Sequence, residues 1–495
     1  MSKQSYPHHL STRARLLYSS LLITAAFSLP MGAQAESHSS SDDNLVADTN
    51  APLPQLSSLA DSQELTLTLP TIHHFETKSG VKVAFVQSDT LPIVDIDLRF
   101  NAGSARDSDI RPQGFGIANM TAMMLTQGTK TLSEDDFTRQ VETLGMELSS
   151  RAFKDMFIIS LRSLSDSEHL KPAILLTQQM LTSPTFDKAT LERNKARLLV
   201  GLQQQQQIPA HLAGVAFSQA LYGEHPYAHP SSGTLSTVPS LTQDDLIAFK
   251  NRYLTAANAT LAITGNLSLT EAKAVSDSLT ESLPQGSPAP RLPDPKPLIS
   301  TQHIHIPFDS TQTTIIMGQL GDKRSGNTKE LQAETNFAVG NEILAGGDFN
   351  AKLMTEIRKN LGYTYGISGG MTPMQASGPY QISFSTRNDK ADAAVKATLK
   401  TIDSTRALGV SQDEINLTKD NLKNSFPMSF ASNAGINGLL GMMNFYQLPD
   451  SYLTDYLSRL DKVDLQSVNA SLRQKINPDK FVIVTVGPES KNQKQ

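Results

Sequence analysis

Residues Leu353 to Gly370 read L-M-T-E-I-R-K-N-L-G-Y-T-Y-G-I-S-G-G. In the first half Leu353, Met354 and Ile357 recur at helical spacing, with Glu356, Arg358 and Lys359 between them. Gly362 is the residue type that ends a helix, and the alternation of Tyr363, Tyr365 and Ile367 predicts a strand running into Gly369-Gly370. That arrangement puts a guanidinium, Arg358, and a phenol, Tyr365, on either side of one tight turn. Both are hydrogen-bond donors suited to a carbonyl or carboxylate. Spacing alone favours a plainer reading, a solvated helix charge and a half-buried strand aromatic, since single Arg and Tyr residues are common.

Outward from this stretch the chain falls into two similar halves. Folded sequence is expected from Leu67. His73-His74-Phe75 and Val81 to Val86 read as a hairpin around Ser79-Gly80, and Ile93 to Phe100 as an alternating strand. Helices are predicted over Gly116–Leu125, Glu134–Leu144, Leu170–Met180, Leu191–Leu202, Leu241–Leu254 and Leu269–Leu283, and strands over Ala152–Leu164 and Ala259–Thr264. Gln203 to Gln207 continue a solvated helix as far as Pro209, and Tyr222 to Pro230 form a Pro-punctuated loop. The Pro-rich run from Pro284 to Pro297 is a stiff extended connector. Beyond it, Val463–Gly487 aligns without gaps on Leu241–Gly265, Gly409–Phe426 resembles Thr185–Leu202, and Thr313–Gly318 answers Ile93–Arg99. Two such halves predict a pseudo-symmetric pair facing each other across a cavity. The expected organisation is residues 67–283 and 299–490 as two domains, joined by a linker over 284–298.

Ahead of these, Arg13 and Arg15 precede an apolar run from Leu16 to about Leu29, then Pro30 and Ala33-Gln34-Ala35. This is the order of a secretory signal, cleaved after Ala35. Ser19, Ser20 and Ser28 interrupt the run, which falls short of a membrane span of ~20 residues. Residues 1–35 are therefore expected to be removed and 36–66 to be a flexible leader rich in Ser, Asp, Ala and Pro. The mature protein is expected to be exported and periplasmic, without a membrane anchor.

A formal charge of −5 with 18% charged residues argues against a nucleic-acid binder. The absence of cysteine excludes disulfides, cysteine nucleophiles and thiolate metal sites. No nucleophile-elbow pattern supports a serine hydrolase. His303-x-His305 puts two imidazoles on one face of a strand, and Glu224, His225 and His229 share one loop, but neither group reads as a complete metal site.

The stretch G-G-D-F-N-A-K-L-M-T-E-I-R-K-N-L-G-Y-T-Y, from Gly346 to Tyr365, resembles the second-domain signature of the pitrilysin-like (insulinase-like) zinc metallopeptidases, with mild departures at Lys359 and Tyr363. The resemblance spans Leu67 to Pro488. It implies an α+β fold of two homologous domains, each a largely antiparallel sheet with helices packed on one face, together forming half of a clamshell chamber. It also implies that Arg358 and Tyr365 bind substrate opposite a zinc ion. In catalytic members the first domain carries His-x-x-Glu-His on a helix, which sets two imidazoles four residues apart on one face and a carboxylate to polarise the bound water. Here the frame is kept, with Phe115-Gly116-Ile117-Ala118 leading in and Gly128-Thr129 leading out, but Asn119 and Met123 stand at the His positions and Ala122 at the Glu. The helix expected to bring the third ligand offers Val200, Gly201 and Leu202.

The resemblance therefore implies a non-catalytic subunit, with no metal of its own, inactive alone and active only with a partner. That partner would be a pitrilysin-like chain bearing His-x-x-Glu-His and zinc, and the substrate a peptide. The alternative is a catalytically inactive peptide-binding or scaffold protein, homodimeric or part of a larger assembly.

Overall fold

The computed structural model describes residues 69–489, so the secretory signal and the leader expected over 36–66 lie outside the described residues. The first half contributes β1 (His73–Glu76), β2 (Lys82–Gln87) and β3 (Ile93–Phe100), helix α1 (Ile117–Leu125), then β4 (Glu147–Ala152) and β5 (Phe157–Leu164). Helices α2 (Lys188–Gln205), α3 (Pro209–Tyr222) and α4 (Gln243–Tyr253) follow, among others, and β6 (Ala259–Gly265) ends the sheet. The second half supplies β7 (Gln302–Pro307), β8 (Gln312–Leu320), α5 (Thr328–Ala345), β9 (Ile367–Met371), β10 (Pro379–Arg387), α6 (Gln412–Ser425), α7 (Asn433–Phe445), α8 (Leu465–Lys475) and β11 (Val482–Gly487).

The strand orders are β1-β2-β6-β3-β5-β4 and β7-β11-β8-β10-β9. In each, the last strand of its half lies parallel to the first long strand of that half, β6 to β2 and β11 to β7, and every other strand pairing is antiparallel. The repeat read from the sequence is thus a repeat of topology. Helix α4 with β6 and helix α8 with β11 occupy the same places, and the starts of α2 and α6 match the second aligned pair.

Strand alternation then decides which layer each residue joins. Val94, Ile96, Leu98 and Phe100 of β3 enter the main core of the first half, with Val83 and Phe85 of β2 and Leu261 and Ile263 of β6. The residues between them face the other way. Ala84, Val86 and Ala262 meet Ile436 and Leu440, which come from α7 in the second half. The second sheet mirrors this. Ile315, Met317 and Ile483 join its own helices, whereas Ile316, Val482, Val484 and Val486 meet Ala213, Phe217 and Leu221 of α3 from the first half. The predicted helices on one face of each sheet are present. What the sequence reading lacked was α3 and α7, which the two halves exchange to cover the opposite faces. A Cβ on Gly441 of α7 would come within 2.5 Å of the Arg99 guanidinium, which donates to the Gly438 carbonyl of the same helix (3.1 Å).

A buried polar junction adds direction to this exchange. Lys154 and Asp155 occupy the turn between β4 and β5. The Asp155 carboxylate, 3% exposed, accepts from the Tyr227 hydroxyl, the Tyr446 hydroxyl (2.9 Å) and the Gln375 N–H (2.9 Å). Tyr227 belongs to the first half, and Gln375 and Tyr446 belong to the second. The Ala376 N–H donates to Tyr227 (3.2 Å), and Tyr222 donates to the Ser377 carbonyl (3.2 Å). Burial pushes the Asp155 carboxyl above the ordinary range, against these donors and the nearby Arg106 guanidinium.

Truncating a buried charge that has several donors leaves all of them unsatisfied, at about 3–5 kcal/mol. Asp155→Ala is therefore expected to lower the urea unfolding midpoint sharply. Tyr446→Phe, which removes one of the three donors, is expected to cost about 1 kcal/mol. An Asp155→Ala midpoint equal to that of the wild type would show that the junction does not tie the halves.

Candidate functional site

The Arg358 segment differs from the predicted helix in its winding. Met354–Asn360 is a π-helix: the Leu361 N–H donates to the Glu356 carbonyl (3.0 Å) five residues back, and the Tyr363 N–H to the Ile357 carbonyl (2.9 Å). Leu353, Met354 and Ile357 still anchor it in the core, and Gly362 has a φ of +61°, the left-handed turn its position demands. The strand predicted from Tyr363 begins only at Ile367. Residues 363–366 are held by side chains: the Thr364 hydroxyl donates to the Gly366 and Ser385 carbonyls (2.8 Å each), and Thr386 donates to the Tyr363 carbonyl (2.6 Å). With Thr364 turned inward, Tyr365 turns out and is 87% exposed.

No hydrogen bond joins Arg358 to Tyr365 among the described residues. Instead the Arg358 guanidinium lies over the ring of Phe349, 4.5 Å from its centroid. Phe349 did not figure among the residues marked from the sequence. The signal available was an aromatic residue following the glycine pair Gly346-Gly347. Those glycines have internal reasons for being there. A Cβ on Gly346 would collide with the Glu342 carboxylate, and Gly347 has a φ of +87°. Gly369 is likewise required by Ile382, 2.5 Å from its would-be Cβ, whereas Gly370 faces open space.

The metal-motif helix α1 is well built at its base. The Asp107 carboxylate accepts from the Gly116 and Ala118 N–H groups (2.8 Å each), capping the helix N-terminus. Burial pushes this carboxyl up to about 7 and the neighbouring Lys154 ammonium down to about 8. On the helix itself the Asn119 amide meets the Met123 thioether at 3.6 Å, as expected for positions four apart. Ala122 is buried between them. On α2, Val200 is 57% exposed and Leu202 joins the core. An amide, a thioether and a methyl group provide no imidazole pair, no base and no carboxylate, so these residues do not fit zinc.

The other candidates fare no better as ligands. His225 accepts the Tyr227 N–H at Nδ1 (3.1 Å) and donates from Nε2 to the Pro293 carbonyl (3.0 Å), which uses both ring nitrogens. His229 stacks on Phe115 with centroids 3.5 Å apart, and Glu224 is exposed. His303 and His305 are exposed on β7, at the edge of the second sheet, and His305 bonds Thr485 (2.9 Å). Among the described residues no three His, Asp or Glu side chains are grouped to hold a metal ion.

Residues 82–235 match the family model described as insulinase (peptidase family M16), and residues 240–422 the model described as peptidase M16 inactive domain. A crystal structure of a peptidase M16 inactive domain from Pseudomonas fluorescens is 35% identical, with a TM-score of 0.79, over 85% of this chain and 98% of that one. This chain belongs to the M16 peptidase family. Among curated M16-like relatives, the Helicobacter pylori protein named non-peptidase homolog YmxG is 25% identical, over 83% of this chain and 94% of its own. The Bacillus subtilis protein named uncharacterized zinc protease YmxG is 22% identical, over 84% and 98%. The donor set on α1 and the likeness to the M16 inactive domain agree, and the chain is an inactive M16 homologue.

Glu342, at the end of α5, is pushed up to about 7, by burial first and by Asp348 second. Its folded-state pKa lies above its unfolded one, so the native protein holds a proton that the unfolded chain releases. The stability it contributes is present at low pH and is lost as pH rises from about 4.5 to about 7. Glu342→Gln is expected to flatten the pH dependence of the melting temperature across that window and to raise it at pH 8. Parallel profiles for mutant and wild type would contradict this.

Proposed function

We propose that this chain is the non-catalytic, substrate-binding subunit of a heterodimeric M16 zinc peptidase that cleaves peptides in the periplasm. One observation carries the reading: the metal-binding positions are emptied of donors at Asn119, Ala122 and Met123, while Arg358 and Tyr365 remain presented at the surface. Arg358 has no carboxylate partner among the described residues, and Tyr365 stands in solvent. In this reading both reach across a chamber shared with the partner and donate hydrogen bonds to a peptide carbonyl at the partner's zinc site. Donors fixed in advance where charge develops lower a barrier more than they improve ground-state binding. The mature chain, beginning at Glu36 after signal cleavage, would meet its partner after export.

A second reading is favoured by the name of the Helicobacter pylori relative, a non-peptidase homolog. In it the chain is a peptide-binding or scaffold protein, as a homodimer or within a larger assembly, and Arg358 has no catalytic task.

Affinity capture of the mature protein from its own periplasm separates the two. The heterodimer predicts a stoichiometric partner bearing His-x-x-Glu-His and one zinc per pair. A homodimer or a zinc-free assembly would leave the second reading. In the reconstituted pair, Arg358→Ala is expected to lower kcat/KM by about 100-fold without loss of assembly. Unchanged turnover would remove Arg358 from the site.

A further inference from the structure

The loop between α5 and the π-helix fixes an aromatic ring in an unusual place. Asp348 closes the loop on itself: its carboxylate accepts the Asn350 N–H and its carbonyl the Ala351 N–H, both at 3.0 Å. Ala351 and Leu353 are buried immediately afterwards. Backbone and anchors are thus set, yet the Phe349 side chain joins none of the apolar clusters and is 57% exposed. Its recorded ring contact is the guanidinium of Arg358. Elsewhere in the same half Arg324, Lys352 and Arg406 are held by Glu334, Glu414 and Asp403, and Arg459, which also lies near the Tyr452 and Tyr456 rings, gives its N–H groups to the Ser451 and Tyr452 carbonyls. Arg358 is held by a π face instead.

The chemical difference is what such a partner leaves available. A carboxylate takes up to two of the guanidinium's five in-plane N–H donors and cancels its charge. A ring beneath the fork holds it through the quadrupole, and the five N–H donors keep pointing outward with the charge intact. We propose that Phe349 is a positioning residue for Arg358: it fixes the guanidinium by stacking and so presents it, unpaired, to the carbonyl or carboxylate of a bound peptide. This rests on the function proposed above, because it gives Arg358 a ligand.

Because Phe349 is exposed, its substitution leaves the core untouched. Phe349→Leu keeps apolar bulk and removes the quadrupole, and Phe349→Tyr keeps both. In the reconstituted pair, with an internally quenched peptide that the wild-type pair cleaves, Phe349→Leu is expected to lower kcat/KM about three- to tenfold. The loss should fall in the same parameter, kcat or KM, that Arg358→Ala moves. Phe349→Tyr should stay within about twofold of wild type. The stack is read independently of activity by the Arg358 Nε–H resonance of this chain alone, whose ring-current shift should vanish in Phe349→Leu and persist in Phe349→Tyr.

Loss with Phe349→Leu and rescue with Phe349→Tyr would support the proposal. Loss with Arg358→Ala but wild-type activity with Phe349→Leu would overturn it and leave the functional reading standing. No loss with either would overturn the functional reading and the positioning role with it. An Arg358 resonance indifferent to Phe349→Leu would show that the stack does not hold in solution.

Discussion

The carboxylate of Asp155 is where the two halves of the chain are tied. It is buried, it accepts hydrogen bonds from one donor in its own half and two in the other, and burial works against its ionisation. A charge in that position is costly once its donors are lost, so the two halves must keep them in register. The residue before it extends the constraint. Lys154 donates to the His229 carbonyl and faces Asp107, which caps the helix that carries Asn119, Ala122 and Met123. One turn of two residues therefore fixes both the seam and the base of the altered metal helix. The lead-in of the frame, at Gly116 and Ala118, is thus held beside the junction through Asp107.

Much of this was legible beforehand, and the reasons are specific. β3 was readable from Ile93 to Phe100 because apolar and polar residues alternate there, with one face entering the core and Asp95, Asp97 and Arg99 on the other. The repeat was readable because α4 with β6 and α8 with β11 use the same order of helix, short link and apolar strand. The donor loss on α1 needed only residue identities.

What was not legible depends on partners distant in sequence. Helix α3 begins with a proline at its first turn, a recognisable start, but nothing local says that Phe217 and Leu221 face a sheet from the other half. The π-helix is a matter of hydrogen-bond register, and Leu353, Met354 and Ile357 suit ordinary helical winding as well. The loop histidines looked available in sequence because ring nitrogens carry no mark of being used. In the fold, His225 spends both. Phe349 escaped notice because an exposed aromatic has meaning only beside the charge it touches.

The exchange of α3 and α7 has a consequence for how the chain reaches this fold. Strands β2 and β6 lay down Ala84, Val86 and Ala262 early, yet the residues that cover them, Ile436 and Leu440, come near the end of the polypeptide. Until those arrive, the first sheet has one apolar face open, and α3 waits without its own sheet. Neither half covers both faces of its own sheet, so each depends on the other for burial. A fragment ending before α7 would leave Ala84, Val86 and Ala262 without this cover, an exposed apolar face of the kind that favours aggregation.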